Sequence, residues 1–230
     1  MLIAVWSPKG GSGTSVVAAA LALEAAESGP VRVVDCSGDQ PAIFGLAADP
    51  EPGVSTWLHA VPAVADDALG ALACPAPGGV AVVGRGPDTL GTAPVDAGIR
   101  LALELSDAPE LSVVDAGDAR VPAVRAVVEH ADVSIVVLRG CYLALRRAVH
   151  EPLVGSATGV VVLEHPDRPL RAREVADVVQ RPVLGVVPER PEIARVVDAG
   201  VLPTRPPIAL VDPIAALVRR LDLGTWGCAA

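Results

Sequence analysis

Leu2-Ile3-Ala4-Val5-Trp6 runs into Ser7-Pro8-Lys9-Gly10-Gly11-Ser12-Gly13-Thr14-Ser15, and the chain continues VVAAALALEAA from Val16. Five consecutive apolar residues suit a short strand covered on both faces. The alanine- and leucine-rich stretch that follows suits a helix. Between them, a turn rich in glycine lets successive backbone N–H groups converge on one point, because no side chains stand in the way. The helix N-terminus adds partial positive charge at that point. A phosphate is the natural occupant of such a junction.

Outward from this junction the same alternation repeats. Strand candidates are Leu2–Trp6, Val31–Asp35, Val80–Val83, Leu111–Asp115, Val133–Leu138, Gly159–Glu164 and Val183–Val187. Helix candidates are Thr14–Ser28, Asp96–Leu105, Pro122–His130, Tyr142–His150, Leu170–Gln180, Glu192–Ala199 and Pro213–Leu221. Strand followed by helix, repeated in this way, predicts an α/β fold: a mostly parallel sheet of about seven strands with helices on both faces. The stretch from Pro41 to Gly79 is the least regular, with turn signals at DPEPG and PAPGG and short helices between them. No fixed-period repeat and no low-complexity linker divides the chain, so residues 1–230 read as one domain.

Composition narrows the function classes. The chain has 230 residues, 51% of them hydrophobic, with 18 basic and 27 acidic side chains and a formal charge of −9. That content excludes a disordered chain. The longest strictly apolar run, Val16–Leu23, falls far short of the roughly 18 residues a membrane span needs, and no basic stretch precedes the first apolar residues, so neither a transmembrane segment nor a secretory signal is expected. Cys36, Cys74, Cys141 and Cys228 lie far apart, without a Cys-x-x-Cys pair, which disfavours zinc and disulfides and favours a cytoplasmic setting. The acidic balance disfavours non-specific binding to DNA, although the carboxyl-terminal half is arginine-rich, and five aromatics leave little for base stacking. Among all basic residues, one is a lysine: Lys9.

The segment Lys9-Gly10-Gly11-Ser12-Gly13-Thr14-Ser15 resembles the deviant Walker A motif, KGGxGK[ST], of the ParA/MinD superfamily of P-loop ATPases. The resemblance implies a nucleotide-binding domain for ATP or ADP with Mg2+. Gly10, Gly11, Ser12, Gly13, Thr14 and Ser15 would then cradle the phosphates, and Ser15 and Asp115 would hold the metal, Asp115 from the Walker B position at the end of LSVVDAG. Lys9 falls on the family's signature lysine, which reaches the phosphates across an ATP-sandwich homodimer. Asp35, at the end of VRVVD, matches the aspartate that opens the switch region. The late segment PVLGVVPERPEIARVVDAG resembles the strand and loop that hold the base. The segments DQPAIFGL and PGVSTWLHA resemble the TadZ/CpaE-like and septum-site-determining branch more than the plasmid-partition ATPases, and that resemblance implies a spatial organiser that recruits or positions a polar, pilus or septal protein.

Two departures bear on catalysis. Thr14 stands where the G-K-[ST] lysine would contact the β- and γ-phosphates, and Ser37 stands where a second switch aspartate would orient the attacking water. Asp39 lies two residues beyond Ser37 and takes that place only if the loop is rebuilt. Weak or absent hydrolysis is the expectation. Two rival readings remain: a partition ATPase that binds DNA as an ATP dimer, and a Rossmann-type dinucleotide-binding oxidoreductase. The second has Gly11-x-Gly13 and Asp35 at fingerprint spacing, but Val16 at the third glycine position. The closing segment DPIAALVRRLDLGTW carries Arg219 and Arg220 beside a short apolar face, which predicts a packed helix instead of one lying on a membrane.

Overall fold

The computed structural model describes residues 1–65 and 68–223. Cys228 and the end of the closing segment lie outside them. Eight strands form one sheet: β1 (Leu2–Trp6), β2 (Val31–Asp35), β3 (Cys74–Ala76), β4 (Val80–Val83), β5 (Leu111–Asp115), β6 (Val133–Arg139), β7 (Gly159–Glu164) and β8 (Val183–Pro188). The helices are α1 (Thr14–Ala25), α2 (Gln40–Ile43), α3 (Val54–Ala60), α4 (Ala68–Ala71), α5 (Val95–Asp107), α6 (Pro122–Glu129), α7 (Tyr142–Val149), α8 (Pro152–Ser156), α9 (Ala172–Val179), α10 (Pro191–Asp198) and α11 (Ile208–Arg220).

Spatial order across the sheet is β3-β4-β2-β5-β1-β6-β7-β8, parallel throughout except for β3, which pairs antiparallel with β4. The expected seven strands are all present. The eighth, β3, is a three-residue edge strand that carries Pro75 and has no apolar run to mark it. The order also separates this sheet from the dinucleotide-binding arrangement 3-2-1-4-5-6, in which the first two strands are neighbours. Here β5 lies between β1 and β2, pairing with both.

Side chains of β1 alternate between two cores. Leu2, Ala4 and Trp6 face the layer built from α3, α5, α6, α7, α8 and α9; Ile3 and Val5 face α1, α2, α10 and α11. Burial on both faces is why the strands read as unbroken apolar runs and not as alternations. Trp6 closes the strand with its indole Nε1 donating to Ser134 Oγ at 2.9 Å, so the large side chain fixes the start of the glycine loop without an unmet donor.

α11 begins at Ile208, five residues earlier than its sequence pattern suggests, and keeps Pro213 inside. A proline there removes one helical hydrogen bond. Burial of Leu210, Ile214, Leu217 and Val218 against α1 and β8 outweighs that loss, and the helix is packed as expected. Among the described residues no helix is long and apolar enough to cross a membrane.

Helices α5 and α6 meet at Gly98, where a Cβ would collide with the backbone carbonyl of Ala123. In an open helix, Gly→Ala gains roughly 0.5–1 kcal/mol. Gly98→Ala is expected to invert that sign and cost about 1–3 kcal/mol through overpacking. Urea denaturation would show the midpoint falling with the slope unchanged; a raised midpoint would contradict this packing.

Candidate functional site

The carboxyl ends of β1, β2 and β5 open onto a cleft of about 650 Å3, lined on one side by Gly10–Val16 and on the other by Ala116–Val121. The glycine loop is shaped by two residues with positive φ, Gly11 at 72° and Gly13 at 83°. Gly13 is the N-cap of α1 and packs directly under Leu163, so both its conformation and its surroundings refuse a side chain. Two serines tie the loop internally: Ser7 Oγ donates to Lys9 O at 3.0 Å and Ser12 Oγ donates to the same carbonyl at 2.6 Å. Among the described residues, the N–H groups of Gly10, Gly11, Gly13, Thr14 and Ser15 have no hydrogen-bond acceptor within the chain. Five donors without acceptors run from the loop into the first turn of the twelve-residue α1, an arrangement that can accept an anion.

Behind the loop lie two carboxylates. The register pairs Asp35 with Asp115 across β2 and β5, and both residues are fully buried. Asp35 holds its own loop: Oδ1 accepts N–H bonds from Ser37 at 2.9 Å and Gly38 at 2.7 Å, and Oδ2 accepts from Gln40 at 2.9 Å. Asp115 Oδ1 accepts from the Gly117 amide at 3.1 Å, while Oδ2 accepts from Gln40 Nε2 at 2.8 Å and from Ser37 Oγ at 2.6 Å. Ser37 Oγ also lies 3.0 Å from Asp35 Oδ1 and 3.3 Å from Ser15 Oγ. A hydroxyl has one proton to give, so Ser37 serves one carboxylate at a time.

The predicted residues thus divide into two groups. Ser15, Asp35, Asp39 and Asp115 fall into one connected network, with Asp39 Oδ2 accepting from Ser15 Oγ at 3.2 Å on the exposed side. Lys9, half-buried, stands apart, its Nζ donating to the neighbouring Gly10 carbonyl at 3.3 Å. Thr14 is buried at the first turn of α1.

Sequence reading missed Gln40. Its Nε2 bridges Asp115 Oδ2 and the Ser15 carbonyl, the latter at 3.0 Å, while its Oε1 is buried without a partner. The signal was available, since a glutamine opening a helix five residues after a strand-terminal aspartate can fold back over that strand end. Arg120, on the loop after β5, also lines the cleft unannounced by any motif.

A second hollow of about 410 Å3 adjoins the loop, walled by Val16, Leu163, Val187, Pro188 and Ile193. The Arg139 Nε–Glu189 Oε1 ion pair, 2.7 Å long, borders it. This hollow is more apolar than the cleft and lies where the PERPEIARVVDAG segment was expected to form a base-holding loop.

Burial, reinforced by the nearby Asp115 carboxylate, raises the Asp35 pKa from 3.8 to about 6, against the pull of its three N–H bonds. Burial likewise pushes the Cys36 thiol upward, leaving it a packing residue and not a nucleophile. A carboxyl group that holds its proton more tightly when folded stabilises the fold most below its unfolded pKa. That contribution is lost as pH rises through about 4 to 6, and amounts to roughly 3 kcal/mol. In metal-free buffer, the stability difference between wild type and Asp35→Asn should shift in favour of the variant across this window and level off above it. Urea midpoints from pH 4 to pH 7.5 measure the shift; a difference that stays constant with pH would contradict it.

Several solved structures share this fold. The MinD septum site-determining protein of Pyrococcus horikoshii OT3, complexed with Mg-ADP, superposes with a TM-score of 0.79 at 17% identity over 96% of this chain and 95% of that one. A ParA family ATPase of Chlorobium tepidum TLS gives 0.76 at 18% identity, covering 96% and 97% of the two chains. Cyanothece McdA in complex with ATP gives 0.74 at 14% identity, covering 96% of each. No protein-family model and no curated protein sequence matches the chain. The likeness is therefore one of fold.

Proposed function

We propose that the chain is a ParA/MinD-like ATP-binding protein that dimerises around bound nucleotide and serves as a spatial organiser, with weak or absent ATP hydrolysis. One observation carries the reading: the glycine loop, with five unpaired N–H groups, and Ser15 line a cleft, and the buried Asp115 carboxylate lies behind it, linked through the cleft-lining Ser37. That donor set fits a phosphate chain with its metal. The amides are anion donors, the Ser15 hydroxyl and Asp115 carboxylate are hard oxygen ligands, and the unpartnered Gln40 Oε1 can accept from a metal-bound water. Bound Mg2+ would neutralise phosphate charge and orient the terminal phosphoryl group.

The chain's own residues then have distinct tasks. The amides of Gly10–Ser15 bind the phosphates, and Ser15 with Asp115 holds the metal. Gln40 orients both, because its Nε2 fixes the Ser15 carbonyl and the Asp115 carboxylate together. Asp35 acts through Ser37 and through the loop it ties down. The apolar hollow beside Val16 and Leu163 accepts the base. Lys9, half-buried at the lip of the loop, reaches the nucleotide of a second copy. The Mg-ADP and ATP complexes of the similar structures support the ligand assignment, and the MinC:MinD complex of Aquifex aeolicus, a structure of the same fold, supports a protein partner.

Weak turnover follows from two substitutions. Thr14 brings no cation to the transferring group. The Ser37 hydroxyl is committed to the Asp115 carboxylate at 2.6 Å, leaving no base to orient water, while Asp39 is bonded to Ser15. Phosphate release that exceeds a Lys9→Ala control and scales with protein concentration would refute this part of the proposal. Molecular mass in solution tests the rest. Wild type should double in mass with Mg-ATP, and Lys9→Ala should remain a monomer while still binding nucleotide. A mass that Mg-ATP leaves unchanged in wild type would contradict the dimer.

A further inference from the structure

Once the loop lysine is replaced by Thr14, a triphosphate entering the cleft meets an unusual charge balance. Asp39, Asp118 and Asp198 line it, and among the described lining residues the one cation is Arg120. Lys9 contributes none of the lining, since its Nζ is turned onto Gly10 O. Arg120 lies on the loop that leaves β5, facing the glycine loop across the cleft. In the ligand-free protein its guanidinium Nε sits 3.2 Å from Asp118 Oδ2, in a pair whose arginine side chain is 63% exposed. Such an exposed pair contributes little to stability and exchanges readily for another anion.

The backbone before Arg120 is specialised. Ala119 has a φ of 50°, a left-handed conformation that a non-glycine residue adopts at a cost, and its side chain is buried. The Ala119 amide closes a turn onto Ala116 O at 2.9 Å, and Gly117, with a φ of 56°, anchors Ser7 through its carbonyl at 2.9 Å. The loop that presents Arg120 is thereby tied to the start of the glycine loop.

We infer that Arg120 supplies, from the opposite wall of the same subunit, the phosphate-binding cation that Thr14 lacks, and that Asp118 is its resting partner. On nucleotide entry the guanidinium exchanges the Asp118 carboxylate for phosphate oxygens, a geometry arginine's planar fork suits. The inference rests on the nucleotide reading above. It goes further in placing the compensating charge within the same subunit, independent of Lys9 and of any dimer.

Equilibrium titration of the full chain with Mg-ATP tests it, on monomeric Lys9→Ala protein so that dimerisation does not contribute. Arg120→Gln should raise Kd about 10- to 100-fold, the range for losing a hydrogen bond to a charged group. Arg120→Lys should recover part of that loss. Adding Thr14→Lys to Arg120→Gln should restore affinity, because a cation returns to the place the threonine occupies. Asp118→Asn should tighten binding, an outcome that no purely structural role for the Asp118–Arg120 pair produces. Melting temperatures without nucleotide report on folding of each variant. If the parent protein binds Mg-ATP and Arg120→Gln binds it within twofold, the inference fails while the nucleotide reading stands. If the parent protein binds no Mg-ATP, the nucleotide reading fails and takes this inference with it.

Discussion

The insertion of β5 between β1 and β2 governs everything at the cleft. It places the glycine loop, which leaves β1, beside the carboxyl end of β5, and it brings Asp115 into register with Asp35 on β2. Two carboxylates buried at adjacent strand ends repel each other and lose hydration, so the surrounding loops are built to satisfy them. Three amides of the 37–40 loop, the Ser37 hydroxyl, the Gln40 amide and the Gly117 amide all point inward at these two groups. The donor-rich loop in front and the two carboxylates behind are therefore consequences of one strand order. The metal cation with phosphate proposed as the ligand would complement both at once.

Most of the fold was legible because its strands are buried on both faces and so carry short continuous apolar runs rich in β-branched residues, whereas the apolar run of α1 is alanine- and leucine-rich. The glycine loop was legible for the same reason: a motif of close backbone approach cannot be written with other residues. What escaped were features decided by tertiary contact. The edge strand Cys74–Ala76 exists because β4 offers it a partner, and α11 runs through Pro213 because its apolar face is buried. Within the site, Ser15, Asp35 and Asp115 were visible by motif, and the structure brings them into one network with Asp39. Gln40 was missed although its place five residues after a strand-terminal aspartate marks it, and Arg120 was not visible, since its place in the cleft comes from where the loop after β5 folds back.

A chain with seventeen arginines and one lysine has that lysine at the lip of the loop and a threonine inside it. The physical roles of the two positions differ. On the proposed reading, a cation inside the loop would act on the bound phosphates of its own subunit at every stage, whereas one at the lip would act when a second molecule closes over the site. The chain has a cation at the second position and none at the first. Ser37, engaged with Asp115, brings a hydroxyl and no further carboxylate to this part of the cleft. Under the proposed nucleotide reading, the site is better equipped to hold a nucleotide and report its presence through assembly than to consume it, and the inferred role of the cleft-lining arginine offers a way to hold it.

A crystal structure of the chain with Mg2+ and a non-hydrolysable ATP analogue tests the central claim most directly. The account predicts the β-phosphate within hydrogen-bonding distance of the amides of Gly10–Ser15, with the metal on Ser15 Oγ and linked to Asp115. Density for the analogue at another place, with those amides facing solvent at saturating concentration, would contradict it.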